Sequence, residues 1–236
     1  MVGHGGADAG YRSFMIRFPD EHFSVVLLAN LANLNTNLPY KVADLFLKDK
    51  NLQPPAFKTD NKIVEGWAGD YFEMSTQTLL KINYNNEKLS LGTTDLVATS
   101  NTTFKIPNPT PALTLSTLTF TGDSLNAQLE VFTEGAGLST YKKVNKITLP
   151  SAKLEEYQGS FYSLELDTKY NISIKDNSLQ IKIPRNDEIK FEPLLKDIFS
   201  GGFIIRFQRN KKDKIEGFYL STGWVRDLYF GKMVAK

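Results

Sequence analysis

The 236-residue chain carries 28 Lys and Arg against 26 Asp and Glu and contains no cysteine. Near-neutral charge without a basic cluster excludes a nucleic-acid footprint, the absence of cysteine excludes disulfides and thiolate chemistry, and no apolar run reaches the roughly 20 residues of a membrane-spanning helix. The length suffices for one large domain or two to three small ones.

The first distinctive stretch is Gly3-His4-Gly5-Gly6. An imidazole set among glycines marks backbone that another group must approach closely. Tyr11–Phe18 then reads as a strand, Pro19-Asp20-Glu21-His22 as a turn, and residues 24–30 as a second strand. Residues 25–29 are apolar at every position, the pattern of a strand covered on both faces. The hairpin is therefore expected to pack against a neighbouring domain or to pair with a second copy of the chain. Residues 38–50 read as a helix, with Leu38, Val42, Leu45 and Phe46 at helical spacing, Asn37 as N-cap, Pro39 in the first turn, and Lys48 and Lys50 in the last. Residues 51–62, with Pro54-Pro55 and mixed charge, read as a linker.

The remainder contains an internal repeat. Val64-Glu65-Gly66-Trp67-Ala68-Gly69-Asp70-Tyr71-Phe72 aligns with Leu154-Glu155-Glu156-Tyr157-Gln158-Gly159-Ser160-Phe161-Tyr162 at an offset of 90, without a gap over about 28 positions. Ile82 falls on Ile172, Tyr84 on Ile174, Asn86 on Asp176, Leu89 on Leu179 and Leu91 on Ile181. Two copies of one module, 63–148 and 149–236, are the economical explanation. Each reads as β throughout, with no helix of usable length after residue 50. In the second copy the expected strands are 159–164, 169–175, 178–183, 188–192, 203–209, 215–221 and 225–232. Period-two alternation in Tyr170–Ile174 and Leu179–Ile183 gives each strand one buried face, and Asp176-Asn177 is a tight hairpin signal. Many short antiparallel strands with short connections imply an up-and-down barrel, which removes exposed edges by closing.

These residues carry a family resemblance. His4-Gly5-Gly6, followed by an arginine-containing strand, a Pro-Asp-Glu turn, an apolar strand and a helix, resembles the third motif of the serine β-lactamase and penicillin-binding-protein family and its surroundings. The opening phrase of each module resembles the small lipocalin-like barrels that follow the catalytic domain in some members; D-aminopeptidases of that family are similar in carrying two in tandem. The resemblance implies a mainly β chain in which residues 1–50 are the hairpin and helix of an α/β catalytic domain, 51–62 a linker, and 63–148 and 149–236 two tandem antiparallel barrels. It further implies an acyl-serine hydrolase of amide or ester bonds, acting on D-amino-acid peptides or β-lactams in the periplasm or outside the cell.

In that family His4, Gly5 and Gly6 would form one wall of the active site, while a Ser-x-x-Lys nucleophile and a Tyr-x-Asn element come earlier in the chain. Only Met1-Val2-Gly3 precedes His4 here, so the resemblance implies that a catalytic segment and any export signal lie upstream, and that this chain alone is inactive. Two look-alikes are rejected. Ser139-Thr140-Tyr141-Lys142 lies on an expected strand, where residues three apart face opposite ways. Tyr84-Asn85-Asn86 ends a strand at a turn. Two histidines and no clustered carboxylates give no metal site, and no cofactor is implied. Asp8 is a candidate to orient the His4 ring, although solvated turn polarity is the simpler reading. Gly201-Gly202 reads as a turn, Lys211-Lys212-Asp213-Lys214 as a solvated hairpin tip, and Trp67, Tyr157, Phe161 and Tyr162 as barrel core rather than ligand pocket. The alternatives to an accessory region of a hydrolase are a barrel that binds a small ligand or cell-wall fragment, and a purely structural module.

Overall fold

In the N-terminal fifty residues three antiparallel strands, β1 (Val2–Asp8), β2 (Tyr11–Phe18) and β3 (Phe23–Ala29), form a sheet in that order. This computed structural model describes residues 2–32, 38–47, 57–106, 116–133, 136–183, 187–223 and 225–233. Ala9 and Gly10, both with positive φ, turn β1 into β2. A single 3-10 turn, Pro19–Glu21, closed by left-handed His22, turns β2 into β3. Helix α1 (Leu38–Phe46) covers one face, packing Tyr40 and Ala43 onto Phe14, Ile16, Phe18 and Val25. Its buried stripe differs from the one expected: Leu45 and Phe46 are exposed, and Pro39, Tyr40 and Ala43 are buried. The Tyr40 ring lies 5.6 Å from that of Phe14, and burial pushes its phenol pKa up to about 12. The expected cap at Asn37 and the lysines at 48 and 50 lie outside the described residues.

The described chain groups into two compact units, Met1–Tyr71 with Leu80–Lys143, and Phe72–Leu79 with Val144–Lys236. Besides the N-terminal sheet, the first holds most of a nine-stranded antiparallel sheet. Its strands are β4 (Gly69–Glu73), β5 (Thr78–Asn85), β6 (Lys88–Leu91), β7 (Thr94–Asp95), β8 (Val97–Ala98), β9 (Thr103–Lys105), β10 (Ser116–Thr121), β11 (Gln128–Thr133) and β12 (Gly137–Val144). The order β7-β6-β5-β4-β12-β11-β10-β9-β8 brings the sheet almost full circle, because its two ends are neighbours in sequence. The second unit holds a closed barrel of β13 (Gly159–Ser163), β14 (Thr168–Lys175), β15 (Ser178–Lys182), β16 (Glu188–Leu195), β17 (Ile198–Ser200), β18 (Ile204–Arg209), β19 (Ile215–Ser221) and β20 (Leu228–Lys232). The chain is thus mainly β, with one closed and one nearly closed antiparallel barrel. Of these eight strands β17 was not expected from sequence; three residues are too few to show a period.

Each barrel is entered through a short helical segment that the β-only reading of the modules missed: α2 (Asn61–Glu65) in the first, and α3 (Ser151–Leu154) running into a 3-10 turn, Glu155–Tyr157, in the second. A single turn is below the length at which periodicity is visible, though Asp60, whose carboxylate accepts from the Lys62 N–H, is a legible N-cap.

The repeat persists at the level of dihedrals and register. Ile82 pairs with Leu91 and Tyr84 with Leu89, as Ile172 pairs with Ile181 and Ile174 with Leu179. The turns Asn86-Glu87 and Asp176-Asn177 both have two positive φ values, the primed hairpin geometry. Trp67 and Tyr157 are both buried at the start of their barrels. Trp67 stacks on Phe120 at 5.4 Å and donates its indole N–H to the Asn101 carbonyl at 2.9 Å. Tyr157 packs edge-on to Phe199 at 4.8 Å and donates its hydroxyl to Asp197 at 2.7 Å. In the second barrel Phe161, Phe191, Phe199, Phe218 and Phe230 have no exposed surface, so side chains fill the lumen.

Gly69 and Gly159 have φ of 145° and 142°, a region that favours glycine. Each is also crossed by a lysine from the last strand of its barrel. A Cβ at Gly69 would lie 2.6 Å from Lys143 Cε, and one at Gly159 would lie 3.0 Å from Lys232 Cε. The ammonium groups continue to backbone carbonyls: Lys143 Nζ donates at 2.8 Å to Gly66, which ends α2, and to Ser124 in the β10–β11 loop, and Lys232 Nζ donates to Glu156, in the 3-10 turn after α3, at 3.2 Å. Burial lowers the pKa of both lysines. Gly69→Ala and Gly159→Ala should each destabilise by about 2–4 kcal/mol in chemical denaturation. Combining Gly69→Ala with Lys143→Ala should cost less than the sum of the two single changes, since the collision is then removed.

Candidate functional site

His4, Gly5 and Gly6 lie together on β1, an edge strand. The register pairs His4 with Met15 and Met15 with Val26, and Gly6 with Ser13 and Ser13 with Leu28. Alternation puts these two rows on the face opposite α1. That face is open: Val26 is 62% and Leu28 77% exposed, and His4 is exposed with them. The cover expected on both faces of residues 25–29 is present on one alone. Gly5 belongs to the covered face, so the triplet splits, with His4 and Gly6 on one side and Gly5 on the other.

Gly6 keeps its row low. A Cβ there would come within 2.6 Å of Ser13 Oγ. The result is a shallow hollow of about 630 Å³ lined by Gly6, Asp8, Tyr11, Ser13, Leu28 and Asn30 among others. Asp8 shares the face with His4 but stands four residues along an extended strand, roughly 13 Å away. It therefore does not orient the imidazole, and among the described residues no hydrogen bond joins His4 to Asp8 or Ser13. His4 is not among the residues that line the hollow; its imidazole is exposed further along the same strand, beside a free backbone edge. A reaction centre needs more: a nucleophile and a base within hydrogen-bond reach of each other.

The rejected look-alikes fall where strand geometry puts them. Ser139 and Lys142 are both on β12; Ser139 shares the inward parity of buried Tyr141, while Lys142 is on the outer face. Tyr84 and Asn85 end β5, and Asn86 begins the turn. His22 is the left-handed residue closing the β2–β3 turn. Among the described residues no group of three or more His, Asp or Glu is placed to hold a metal ion.

One strongly interacting ionisable cluster was not legible in the sequence. At the entry end of the second barrel the Arg209 guanidinium donates through Nε to both Asp197 oxygens at 3.0 Å, through Nη2 to Asp197 at 2.9 Å, and through Nη1 to Glu156 at 2.9 Å. Nη2 also donates to the Tyr157 hydroxyl at 3.2 Å, and the guanidinium lies 5.6 Å from the Tyr157 ring centroid. Burial alone would raise the Asp197 carboxyl, but the hydrogen bonds from Arg209 and Tyr157 outweigh it and hold the pKa below its usual value. The same bond to Asp197 is the largest cause of the raised Arg209 pKa. Burial first, and then donation to Asp197, push the Tyr157 phenol up to about 12.

Perturbed groups of this kind often mark active sites. Here every strong donor is matched by an acceptor within the cluster, with side-chain exposures of 14% for Arg209 and 18% for Asp197. The network closes the barrel end. The members are 12, 40 and 52 residues apart, beyond any local pattern. Asp197→Asn should destabilise the second barrel by about 2–4 kcal/mol, because it leaves the Arg209 charge partly unmatched. A depressed folded-state pKa means stability present above the unfolded value near 3.9 and lost as pH falls through the folded one. The acid limb of a stability–pH profile should therefore be shallower in Asp197→Asn than in the parent chain.

No family model matches the chain, and no curated protein matches it.

Proposed function

We propose that this chain is the C-terminal accessory region of a β-lactamase-like serine hydrolase, in which a segment upstream of His4 supplies the nucleophile. The observation that carries the reading is the position of His4-Gly5-Gly6. The triplet lies on the edge strand of a sheet with one face covered by a helix and the other bare, with a hollow beside Gly6. A free strand edge offers backbone N–H and C=O groups to an extended amide substrate. An exposed imidazole beside it can steer a carboxylate or relay a proton.

In the complete enzyme the upstream serine attacks the substrate carbonyl while its lysine takes the hydroxyl proton. The tetrahedral intermediate collapses to an acyl-serine as the leaving amine or alcohol takes up a proton, and water then releases the acid. D-amino-acid peptides and β-lactams are the substrate classes, and the site of action is the periplasm or the outside of the cell. The filled lumen of the second barrel supports a structural role for that module.

Incubated alone with a chromogenic cephalosporin and a fluorescent fluorophosphonate, the chain should give no turnover and no mass shift. The product of the coding sequence extended upstream should be labelled stoichiometrically on a serine of an upstream Ser-x-x-Lys. His4→Ala in that product should lower kcat/KM by about 10²-fold or more. Labelling of any serine within residues 1–236 would contradict the reading.

Without its upstream segment the bare apolar face should draw two copies together through β3 or the open sheet face. Light scattering should give a dimer that becomes monomeric in Val26→Lys/Leu28→Lys.

A further inference from the structure

The two barrels follow one plan but finish differently. In the second, eight strands close the ring, and Leu149, in the lead-in to α3, packs against the core. In the first, β7 and β8 are the two ends of the sheet, joined only through Leu96, whose N–H reaches back to the Leu89 carbonyl at 2.8 Å. The position equivalent to Leu149 at the offset of 90 is Thr59, shorter and polar. Where the second barrel has Leu149 packed on its core, the first has a pocket of about 490 Å³. Its floor includes Val64, Leu89, Leu96 and Phe104, all buried, and half-exposed Phe57 lies at its side. Its rim carries both signs of charge, Lys58 and Lys88 with Glu87 and Asp95.

We propose that this opening binds a small zwitterion with an apolar side chain, namely a free amino acid or short peptide. The volume falls within the range of about 300–1,000 Å³ typical of small-molecule sites. The apolar floor takes a side chain out of water. A rim of mixed sign suits a ligand with an ammonium and a carboxylate, whereas an amphiphile of single charge meets a like charge there. The rim is free to respond, since Lys88 and Asp95 are 3.6 Å apart with side chains 62% and 64% exposed. Such exposed pairs are worth little, so a ligand's charged groups replace them at small cost. The second barrel is the internal control: same plan, closed ladder, and Leu149 on its core. The inference does not rest on the hydrolase reading and survives its failure.

Titrate the isotope-labelled 236-residue chain with leucyl-leucine to about 10 mM and follow backbone amide shifts, with N-acetyl-leucinamide and hexanoate as comparators. The dipeptide should shift Thr59, Lys88 and Leu96 saturably, and the neutral and anionic comparators should bind at least about tenfold more weakly. Thr59→Leu, which copies Leu149 of the second barrel, should weaken dipeptide binding by about tenfold or more. Lys88→Glu, a change at an exposed side chain, should weaken it by at least about threefold. No saturable shift, binding of N-acetyl-leucinamide as tight as that of the dipeptide, or undiminished binding in both variants would overturn the proposal.

Discussion

A β-barrel is decided at its seam, where the last strand must return to the first, and in both modules a lysine and a glycine hold that seam. Lys143 and Lys232 run their methylene chains across Gly69 and Gly159 and end on the carbonyls of Gly66, which ends α2, and of Glu156, in the 3-10 turn after α3. The glycine is required by its positive φ, and the flexible end of the lysine passes close beside it. The helix carbonyls need a donor, because the last C=O groups of a helix have no partner within it. Strand, helix and closure are therefore fixed by one crossing, and its recurrence is why the repeat holds in space as well as in sequence.

Around this shared seam the two copies have diverged in how they finish their ends. The second spends its polar residues on a closed ion-pair network, Arg209 with Asp197, Glu156 and Tyr157, and fills its lumen with phenylalanines. The first ties its entry aromatic to a backbone carbonyl through Trp67 and stops short of a full ring.

Much of this was legible in the sequence, for identifiable reasons. β2 begins and ends where alternation puts it, and the Asp176-Asn177 turn has the two positive φ values that its composition implies. The offset of 90 was readable because core positions, turn and seam glycine are all kept in register. What escaped was either too short or too distant. β17 and the entry helices have too few residues to show a period. The Arg209 network joins residues with no local relation. Residues 25–29 misled in an instructive way: an apolar run reports what a strand is built to bury, while Val26 and Leu28 stand exposed here. His4 was legible as the first residue of the triplet, and in the structure it stands exposed on β1 with no hydrogen bond to Asp8 or Ser13.

That exposed face is where the functional account can be tested without relying on activity. Amide hydrogen exchange should be measured along β3, Phe23–Ala29, in this chain held monomeric by dilution and in the product extended upstream. If the sheet is the outer part of a catalytic domain, the β3 amides that do not bond to β2 should exchange quickly in the short chain. In the longer product they should slow by about 10²-fold or more, as the edge gains a partner. Equal exchange in the two products would contradict the account, because the face and edge would then be a finished surface and not one side of an active site.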